Sequence, residues 1–400
     1  MIETELCIVG GGPAGMVAGL LFARAGVKTL VLEKHGDFLR DFRGDTVHPS
    51  TLMLFEELGL LDALLQRPHD KVRKLSVPFG DRRFDVADFS RLPGRANFIA
   101  MMPQWEFLDF VADAARRYPA FTLRMDCEAT GIVPGEHRIE GVVTAAGETI
   151  RAKLVIAADG RRSILRDAAA LPLDDLGAPM DVFWFRLPKD RTPENMTTGF
   201  FGAGHVIALI DRGEYWQCAY LFPKGGADTV KAAGIEAFRR EVAIAAPLVA
   251  DQVAALTDWD QVKLLAVSLD RLTRWHTPGL LAIGDAAHAM SPIGGVGINL
   301  AVQDAVATAN ILAAAMREGR ELDLLLPFVQ RRRMLPTRMV QAAQRMAHDR
   351  IIKPILTDRT PTTRAPRMLR LLRRFPALQR IPARLIGMGI RPEHIRSPQA

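Results

Sequence analysis

Short apolar runs alternate with longer amphipathic stretches in the first part of the chain. Glu5–Val9 is an apolar run typical of a buried strand, and it ends at three consecutive glycines. A helical pattern follows from Pro13 to about residue 25, and Val27–Leu32 is a second apolar run. The succession of strand, glycine turn, helix and strand predicts a βαβ unit, in which the two strands are parallel.

Two more apolar runs, Lys153–Ala158 and Gly279–Ile283, lie far along the chain and have the same character. We predict that these four strands share one sheet, although long segments separate them. Between the last two runs, three segments alternate in polarity and are separated by turn residues, which is typical of an antiparallel sheet. These segments are Asp181–Leu187, Val206–Ile210 and Trp216–Phe222.

The pattern therefore predicts an α/β chain with a Rossmann-like domain, an inserted antiparallel-sheet substrate domain and a C-terminal helical segment. The Rossmann-like domain is discontinuous and takes residues 1–74, 99–170 and 276–345. The substrate domain takes residues 75–98 and 171–275. The C-terminal helical segment takes residues 346–400.

Composition places the chain among ordinary globular proteins, with 48% hydrophobic and 24% charged residues. The net charge of +7 is concentrated at one end, because 17 Lys and Arg face only three Asp and Glu beyond residue 330. This basic segment either lies on a membrane surface or packs on the rest of the chain. Its frequent prolines favour packing, since proline breaks a long surface helix. No motif indicates nucleic-acid binding.

Cysteine usage and the chain's first residues bear on location. Cys7, Cys127 and Cys218 are odd in number and widely spaced, which predicts reduced thiols and a cytoplasmic protein. Acidic residues at positions 3 and 5 do not resemble a signal peptide, and we predict no transmembrane helix. The spacing of the histidines indicates no metal site.

Gly10, Gly12 and Gly15 follow the first predicted strand with the spacing G-x-G-x-x-G. The first glycine permits a tight turn, and the second lets a pyrophosphate approach the backbone. The third lets the helix pack closely on the strand. The loop therefore predicts a site for a dinucleotide.

The residues around this loop support the same prediction. The helix opens at Pro13 and Ala14, so its free N–H groups and its dipole favour the anion. Glu33 ends the second predicted strand and is followed by Lys34. The Glu33 carboxylate is placed to accept hydrogen bonds from ribose hydroxyls, as in NAD or FAD sites.

Two downstream segments distinguish these dinucleotides. One contains Asp159-Gly160 after the third apolar run, and the other contains Gly284-Asp285 after the fourth. With them the chain resembles the class A flavoprotein aromatic hydroxylases, the para-hydroxybenzoate hydroxylase-like family. Arg43-Gly44 and Gln104 match two further family motifs, in the family's order, so the resemblance spans roughly residues 5 to 310. It implies an FAD-binding domain with a glutathione-reductase-like βαβ unit.

The resemblance implies a role for each matching position. The glycine loop holds the FAD pyrophosphate, Glu33 binds the adenosine ribose, and Asp285 binds a ribityl hydroxyl. Arg43 and Gln104 contact the pyrophosphate and ribityl region, while Asp159 joins contacts between FAD and the nicotinamide. The loop before the long helix faces the flavin and offers N–H groups to its negative charge. That loop comprises Pro292, Gly295, Val296, Gly297, Ile298 and Asn299.

The resemblance also implies the reaction. NADH or NADPH reduces FAD transiently, O2 gives a flavin C4a-hydroperoxide, and an aromatic or polycyclic small molecule is hydroxylated. Arg43, His48 and His288 are the candidate catalytic residues, although His288 equally suits a hydrogen-bonded position in the flavin loop. A flavin reductase or dehydrogenase without oxygenation and a non-catalytic flavin-binding protein are the alternatives. Both a monomer and a homodimer remain open.

The substrate pocket is expected between the flavin edge and the antiparallel sheet. Alternation places Phe183 and Phe185 on one face of a strand and Trp184 and Arg186 on the other. Our pocket prediction takes the face of Phe183, where each side chain either lines the pocket or belongs to the core. The candidate lining residues are Phe183, Phe185, Phe201, His205, Trp216 and Tyr220.

Overall fold

The computed structural model describes residues 1–39, 46–79, 82–189, 198–202, 204–357 and 367–400. The strands are β1 Ile2–Val9, β2 Thr29–Leu32, β3 Thr46–Val47, β4 Asp70–Val72, β5 Lys74–Phe79, β6 Arg82–Asp88, β7 Ile99–Met101, β8 Phe121–Arg124, β9 Ala129–Pro134, β10 Ile139–Thr144, β11 Thr149–Ala157, β12 Leu173–Asp175, β13 Met180–Pro188, β14 Thr198–Gly202, β15 His205–Asp211, β16 Tyr215–Pro223, β17 Lys263–Leu265, β18 Asp270–Leu272, β19 His276–Thr277 and β20 Leu280–Ala282. The helices are α1 Pro13–Arg24, α2 Pro49–Glu57, α3 Leu61–Leu64, α4 Gln104–Ala115, α5 Ile164–Ala168, α6 Ala227–Ala232, α7 Ile235–Ala245, α8 Gly297–Arg317, α9 Leu326–Ala347, α10 Lys353–Thr357, α11 Arg367–Arg374 and α12 Arg380–Gly387.

The large sheet has eight strands, and β20, β11, β1, β2 and β8 lie side by side in parallel. At its centre, Ile8 lies between Ile156 and Val31, and all three side chains are fully buried. Such apolar runs suit parallel strands because helices cover both faces of the sheet. The four runs that we predicted to share a sheet do so, which confirms that part of the fold prediction. The hairpin β9–β10, which the sequence analysis missed, extends the sheet in antiparallel fashion.

Helix α8 passes through the core beside α1. The helical stretch Ile293–Arg317 has the length and mean hydropathy of a membrane span, although we predicted none, and 78% of its most apolar window is buried inside the structure. Its apolar character is therefore used in packing: Val302, Ala305 and Leu312 are fully buried in the main core.

The second large sheet is antiparallel, with five strands in the order β14-β15-β16-β13-β17. Because side chains alternate between the faces of a strand, the sheet has two distinct apolar surfaces. One packs on α7, where Phe238 makes edge contacts with Phe183 and Phe185 at centroid distances of 5.8 and 5.5 Å. The opposite surface packs on the turn and helix that follow α9, through Ile352 and Leu356.

Glycine and proline mark two of the helical segments. The helical stretch after His48 is split into α2 and α3 near Gly59, whose φ of +70° terminates α2. Helix α9 continues through a buried Pro336, although proline removes one backbone hydrogen bond.

The basic C-terminal helices pack on the β5–β6 hairpin. Ala383 and Met388 share an apolar cluster with Phe89 and Leu92, and the Arg373 guanidinium lies 5.6 Å from the centroid of the Phe84 ring. This packing agrees with the interpretation that the sequence favoured. Contact with a membrane surface stays a prediction.

The last residues form what we call the C-terminal strap, residues 393–400. Glu393 pairs with Arg332 and Arg333 of α9. Farther on, Arg24 of α1 donates to the Ser397 carbonyl at 3.1 Å, and the Ala400 amide donates to the Arg24 carbonyl at 2.9 Å. The strap therefore fastens α9 and α1 to each other.

His48 links the first domain to the C-terminal helices. It directly precedes α2, is fully buried, and its Nδ1–H donates to the Ile386 carbonyl of α12 at 2.8 Å. Burial lowers the pKa of His48 to about 4, although the bond to Ile386 opposes this shift. The imidazole is therefore neutral in the folded chain at neutral pH.

We expect His48 to make the fold acid-sensitive. The unfolded chain takes up a proton near the ordinary pKa of about 6.5, whereas the folded chain resists until about 4, so acid favours unfolding over that interval. In thermal melts at pH 7 and pH 5, His48→Gln, which keeps a donor but does not titrate, should lose less stability, by about 2 kcal/mol. Equal losses in the two proteins would contradict this assignment.

Candidate functional site

The glycine loop between β1 and α1 is shaped by close backbone contacts. Gly10 has a φ of +107°, and a Cβ on Gly15 would lie 1.9 Å from the Gly10 carbonyl oxygen. A Cβ on Gly12 would meet nothing within 4 Å, so the outer side of the loop is open. Helix α1 begins at Pro13 with no side-chain cap. Its first N–H groups are therefore available to an anion, with Ala14 in the first turn.

Glu33 lies directly beside this loop at the end of β2. Its Oε2 accepts from the Gly11 amide at 2.8 Å, and its Oε1 accepts from the His35 amide at 3.2 Å. The residue is 9% exposed, so the carboxylate is held in a fixed position at the loop. The next residue, Lys34, is exposed.

Asp285 follows β20 and pairs with a residue that the sequence analysis did not single out. Arg161 Nε donates to Asp285 Oδ2 at 3.0 Å, and a second guanidinium nitrogen donates to the Met290 carbonyl at 3.2 Å. Arg161 therefore joins the loop after β11 to the loop after β20. The pair is partly exposed, which leaves the Asp285 carboxylate within reach of a ligand.

Asp159 supports its own loop through hydrogen bonds. Its carboxylate accepts from Ser163 Oγ at 2.5 Å and from the Leu165 amide at 3.3 Å, at the start of α5. Burial raises the pKa of Asp159, despite these hydrogen bonds. The carboxyl group thus holds the turn that carries Arg161 in place.

The loop from Pro292 to Val296 turns sharply before α8. Gly294 and Gly295 have φ values of +81° and +61°, which side chains rarely allow. A Cβ on Gly295 would lie 2.3 Å from Thr46 Oγ1, and that hydroxyl donates to the Gly295 carbonyl at 2.7 Å. Helix α8 begins at Gly297 without a side-chain cap, so its first N–H groups, with Ile298 in the first turn, are free for an anion.

Asn299 ties α8 to the segment that precedes α2. Its Oδ1 accepts from the His48 amide at 2.9 Å and from Thr51 Oγ1 at 2.7 Å, and its Nδ2 donates to the Thr46 carbonyl at 3.4 Å. The side-chain amide of Asn299 is therefore engaged within the protein. Its predicted place in the loop that faces the flavin stays a prediction.

His288 belongs to a buried charge network behind the flavin loop. Its Nε2 lies 2.6 Å from Asp304 Oδ2, and Arg333 Nε donates to Asp304 Oδ1 at 2.9 Å. The Gly284 amide also donates to Asp304, at 3.1 Å. Burial alone would raise the pKa of Asp304, but His288 and Arg333 hold it below its ordinary value. His288 is 1% exposed, as expected for a structural residue of the flavin loop.

The structure places four of the predicted pocket residues in a packed core. Phe183, Phe185, Trp216 and Tyr220 are 0–3% exposed and belong to the core between the antiparallel sheet and α7. Tyr220 in addition donates to Glu241 of that helix at 2.9 Å. The amphipathic helix α7 covers their face, so these four side chains belong to a packed core. The alternation predicted from the sequence agrees with the strand pairing, and the position of the substrate pocket stays a prediction.

The opposite face of the sheet lies towards the flavin loop. Ile293, from that loop, packs against the same apolar cluster as Trp184 and Ala208. Sequence reasoning had noted that Trp184 faces away from Phe183, and the two side chains do pack in different clusters. Arg161 and Asp304 carried no comparable signal, because their partners are distant in the chain.

Some predicted site residues lie outside the described part of the chain. Arg43 falls within the gap before residue 46, and the side chains of Phe201 and His205 are likewise not described. Gln104 opens α4, as predicted, and is half-buried. Two surface grooves of about 470 and 420 Å³ lie along α9 and include none of the predicted site residues.

Comparison with known proteins agrees with this architecture. The model of the FAD binding domain family matches residues 3–343. The 6-methylpretetramide 4-monooxygenase of Streptomyces rimosus is 32% identical over 99% of this chain and 94% of its own length. Aklavinone 12-hydroxylase DnrF of Streptomyces peucetius is 26% identical over 86% of this chain and 76% of its own.

A solved structure shows the same fold. The OxyS anhydrotetracycline hydroxylase of Streptomyces rimosus has a TM-score of 0.76 over 97% of this chain and 77% of its own, at 21% identity. The predicted α/β fold class is thereby confirmed. A match to the family model over most of the chain, with a relative aligned over nearly all of it, settles its membership. The chain belongs to the FAD binding domain family and is an FAD-dependent monooxygenase, which uses NAD(P)H and O2 to hydroxylate an aromatic compound.

Proposed function

We propose that the substrate is a fused-ring aromatic compound that carries phenol or carbonyl oxygens. The observation that supports this proposal is the alignment of a 6-methylpretetramide monooxygenase with 99% of this chain. The other compounds named for its relatives, aklavinone and anhydrotetracycline, are also polycyclic. A relative that aligns from end to end shares the substrate domain as well as the cofactor domain, so its substrate class is the one to test first.

We further propose how FAD is held. The residues fit the cofactor, because an open glycine loop before an uncapped helix suits a pyrophosphate and would be blocked by side chains. In this proposal Gly10, Gly12 and Gly15 hold the pyrophosphate and Glu33 binds the adenosine ribose. Asp285 binds a ribityl hydroxyl. Gln104 and Arg43 keep their predicted contacts with the pyrophosphate and ribityl region.

The bound cofactor supplies the oxidation: FAD reduced by NADH or NADPH activates O2, so that one oxygen atom enters the substrate and the other leaves as water. The protein's own contribution is position and charge. The N–H groups of the first turn of α8, at Gly297 and Ile298, stabilise negative charge on the reduced flavin. His48 and His288 act through the elements that they hold, since both rings are buried and hydrogen-bonded.

The function test measures NADPH and NADH oxidation by the FAD-loaded protein with phenol, 2-naphthol and 1,8-dihydroxyanthraquinone. We expect the fused-ring compounds to stimulate oxidation more than phenol does, and a product heavier by one oxygen atom. Stimulation by phenol alone would contradict the proposed substrate class. Stimulation without an oxygenated product would indicate a reductase.

Asp285→Ala should weaken FAD binding without unfolding the protein. Its carboxylate lies in a partly exposed pair, so removing it deprives the cofactor of one charge-assisted acceptor while the core is unaffected. We expect the Kd for FAD to rise by about 10- to 100-fold, as measured by flavin fluorescence. Asp62→Ala, at an exposed pair with Arg95, serves as the control and should bind FAD normally. Full FAD occupancy of Asp285→Ala after gel filtration would refute the assignment.

Asp304→Asn should show the opposite pattern. It weakens a buried network with His288 and Arg333, and breaking such a pair typically costs about 3–5 kcal/mol. The melting temperature of the cofactor-free protein should therefore fall well below that of Asp285→Ala. Equal melting temperatures for the two cofactor-free variants would show that the network contributes nothing to stability.

A further inference from the structure

We propose that the solvent-facing side of α9 binds an acidic amphipathic helix of a partner protein. This proposal does not depend on the identity of the substrate, and it concerns side chains that the cofactor site does not use. It rests on three observations about one continuous helix, Leu326–Ala347. The helix is apolar on the side that faces solvent, the arginines on that side lack carboxylate partners, and a groove runs along them.

The polarity of α9 is the reverse of that of an ordinary surface helix. Its inward residues include buried polar groups: Gln341 donates to the Asp270 carbonyl at 2.7 Å, and Gln344 donates to the Ser291 carbonyl at 2.9 Å. A surface helix normally turns its apolar side to the core and its polar side to water. Here a line of apolar side chains faces solvent, each 46–55% exposed, and we call it the apolar row: Phe328, Leu335, Met339 and Met346. Such a surface indicates a binding site for another macromolecule.

The apolar row is straight. Its members are separated by seven, four and seven residues, and at 3.6 residues per turn these intervals keep all of them within about 20° of one line. From Phe328 to Met346 the row is about 27 Å long. Anchors at such intervals are the pattern by which one helix recognises another. The surface therefore has the length and spacing to receive a helix of about five turns.

Three arginines run beside the apolar row at intervals of seven residues. We call Arg331, Arg338 and Arg345 the arginine row, and all three are exposed. None of the three has a carboxylate partner among the described residues, whereas the neighbouring Arg332 pairs with Glu393. Seven residues are nearly two turns, so successive members lie about 10 Å apart along the helix axis. The arginine row thus presents three evenly spaced positive charges to solvent.

The charge of this side of α9 determines the chemistry of its partner. No Asp or Glu occurs between residues 324 and 348. A second copy of this chain docked through α9 would therefore bring arginine against arginine, which disfavours self-association. A partner helix with a carboxylate every seven residues would place one opposite each member of the arginine row. Charge complementarity therefore favours an acidic helix over a second copy.

A groove of about 470 Å³ runs along the same side of α9. It is lined by apolar and basic side chains together with one amide, namely Pro327, Gln330, Arg331, Met334, Leu335 and Arg338. A groove of this kind receives the ridge of side chains of a second helix. A bilayer surface instead binds a broad apolar face whose side chains project into it. The groove therefore favours a protein helix over a membrane surface.

The test measures binding of a labelled acidic peptide to the FAD-loaded protein by fluorescence anisotropy at physiological salt. The peptide has three heptads, with leucine at a and d and glutamate at e and g, so that charge repulsion opposes its self-association. We expect a Kd of about 10 μM or lower, and a Kd at least about tenfold higher for a scrambled peptide of the same composition. A peptide with lysine in place of glutamate should not bind.

Two variants probe the two rows. The triple variant Arg331→Glu, Arg338→Glu, Arg345→Glu should bind the acidic peptide at least about tenfold more weakly than the unmodified protein does. It should also gain binding of the lysine peptide, because the charges are then exchanged. Leu335→Gln should raise the Kd for the acidic peptide about three- to tenfold, since it removes one apolar anchor.

Matched substitutions on other parts of the chain serve as controls. The triple variant Arg117→Glu, Arg240→Glu, Arg274→Glu reverses three exposed arginines and changes the net charge by the same amount. Ile244→Gln replaces a 72% exposed residue of α7. Both controls should bind the acidic peptide as the unmodified protein does and should not bind the lysine peptide. All four variants should retain FAD and oxidise NAD(P)H at the unmodified rate.

The other outcomes overturn the proposal. Equal binding of the acidic peptide to the unmodified protein and to the arginine-row variant would show that the peptide binds elsewhere. Equal binding of the scrambled peptide would show that charge alone attracts it. Failure of the acidic peptide to bind would also refute the proposal. In that case, sedimentation of the protein with phosphatidylserine vesicles would assign α9 to a membrane surface, and a dimer that Leu335→Gln dissociates would assign it to a second copy. None of these results bears on the proposed function, which substrate-stimulated NAD(P)H oxidation tests separately.

Discussion

The buried carboxylate of Asp304 is the constraint on which much of the site depends. A carboxylate that is fully removed from water is tolerated only when charges and donors surround it. Here they come from three places: the Gly284 amide, the His288 ring and the Arg333 guanidinium. The loop after β20, helix α8 and helix α9 must therefore meet at one point. Since Arg333 also pairs with Glu393, the C-terminal strap is joined to the same ion-pair network.

The antiparallel sheet shows how one alternating sequence performs two tasks. On the Phe183 face, large rings fill the space beneath α7 and provide a rigid support. On the Trp184 face, Ala219 and Leu221 are buried in a second cluster, and Ile293 of the flavin loop packs against it. Both faces are therefore packed, and the alternation lets each strand contribute to two cores.

What could be predicted from the sequence was largely local. The glycine loop and its following helix are encoded within a few residues, since Gly10 and Gly15 are required by the close approach of neighbouring backbone and Gly12 leaves the outer side of the loop open. The parallel sheet could also be predicted, because fully buried strands read as continuous apolar runs. The choice between the faces of β13 could not be made, as it depends on where α7 packs. The roles of Arg161, Asp304 and Glu393 were missed for the same reason. The residues with which they form ion pairs are distant in the sequence and come together only in the folded chain.

The C-terminal strap has a consequence for the order in which parts of the chain can fold. Arg24 ends the helix that follows the glycine loop, yet its partner Ser397 is 373 positions away. During synthesis the early βαβ unit leaves the ribosome long before those partners exist, and domains begin to fold from the N-terminal end. Contacts of such long sequence separation slow folding, because a large loop must close before they form. The contacts that hold the end of α1 to the strap can therefore form only after residues 397 and 400 have been made.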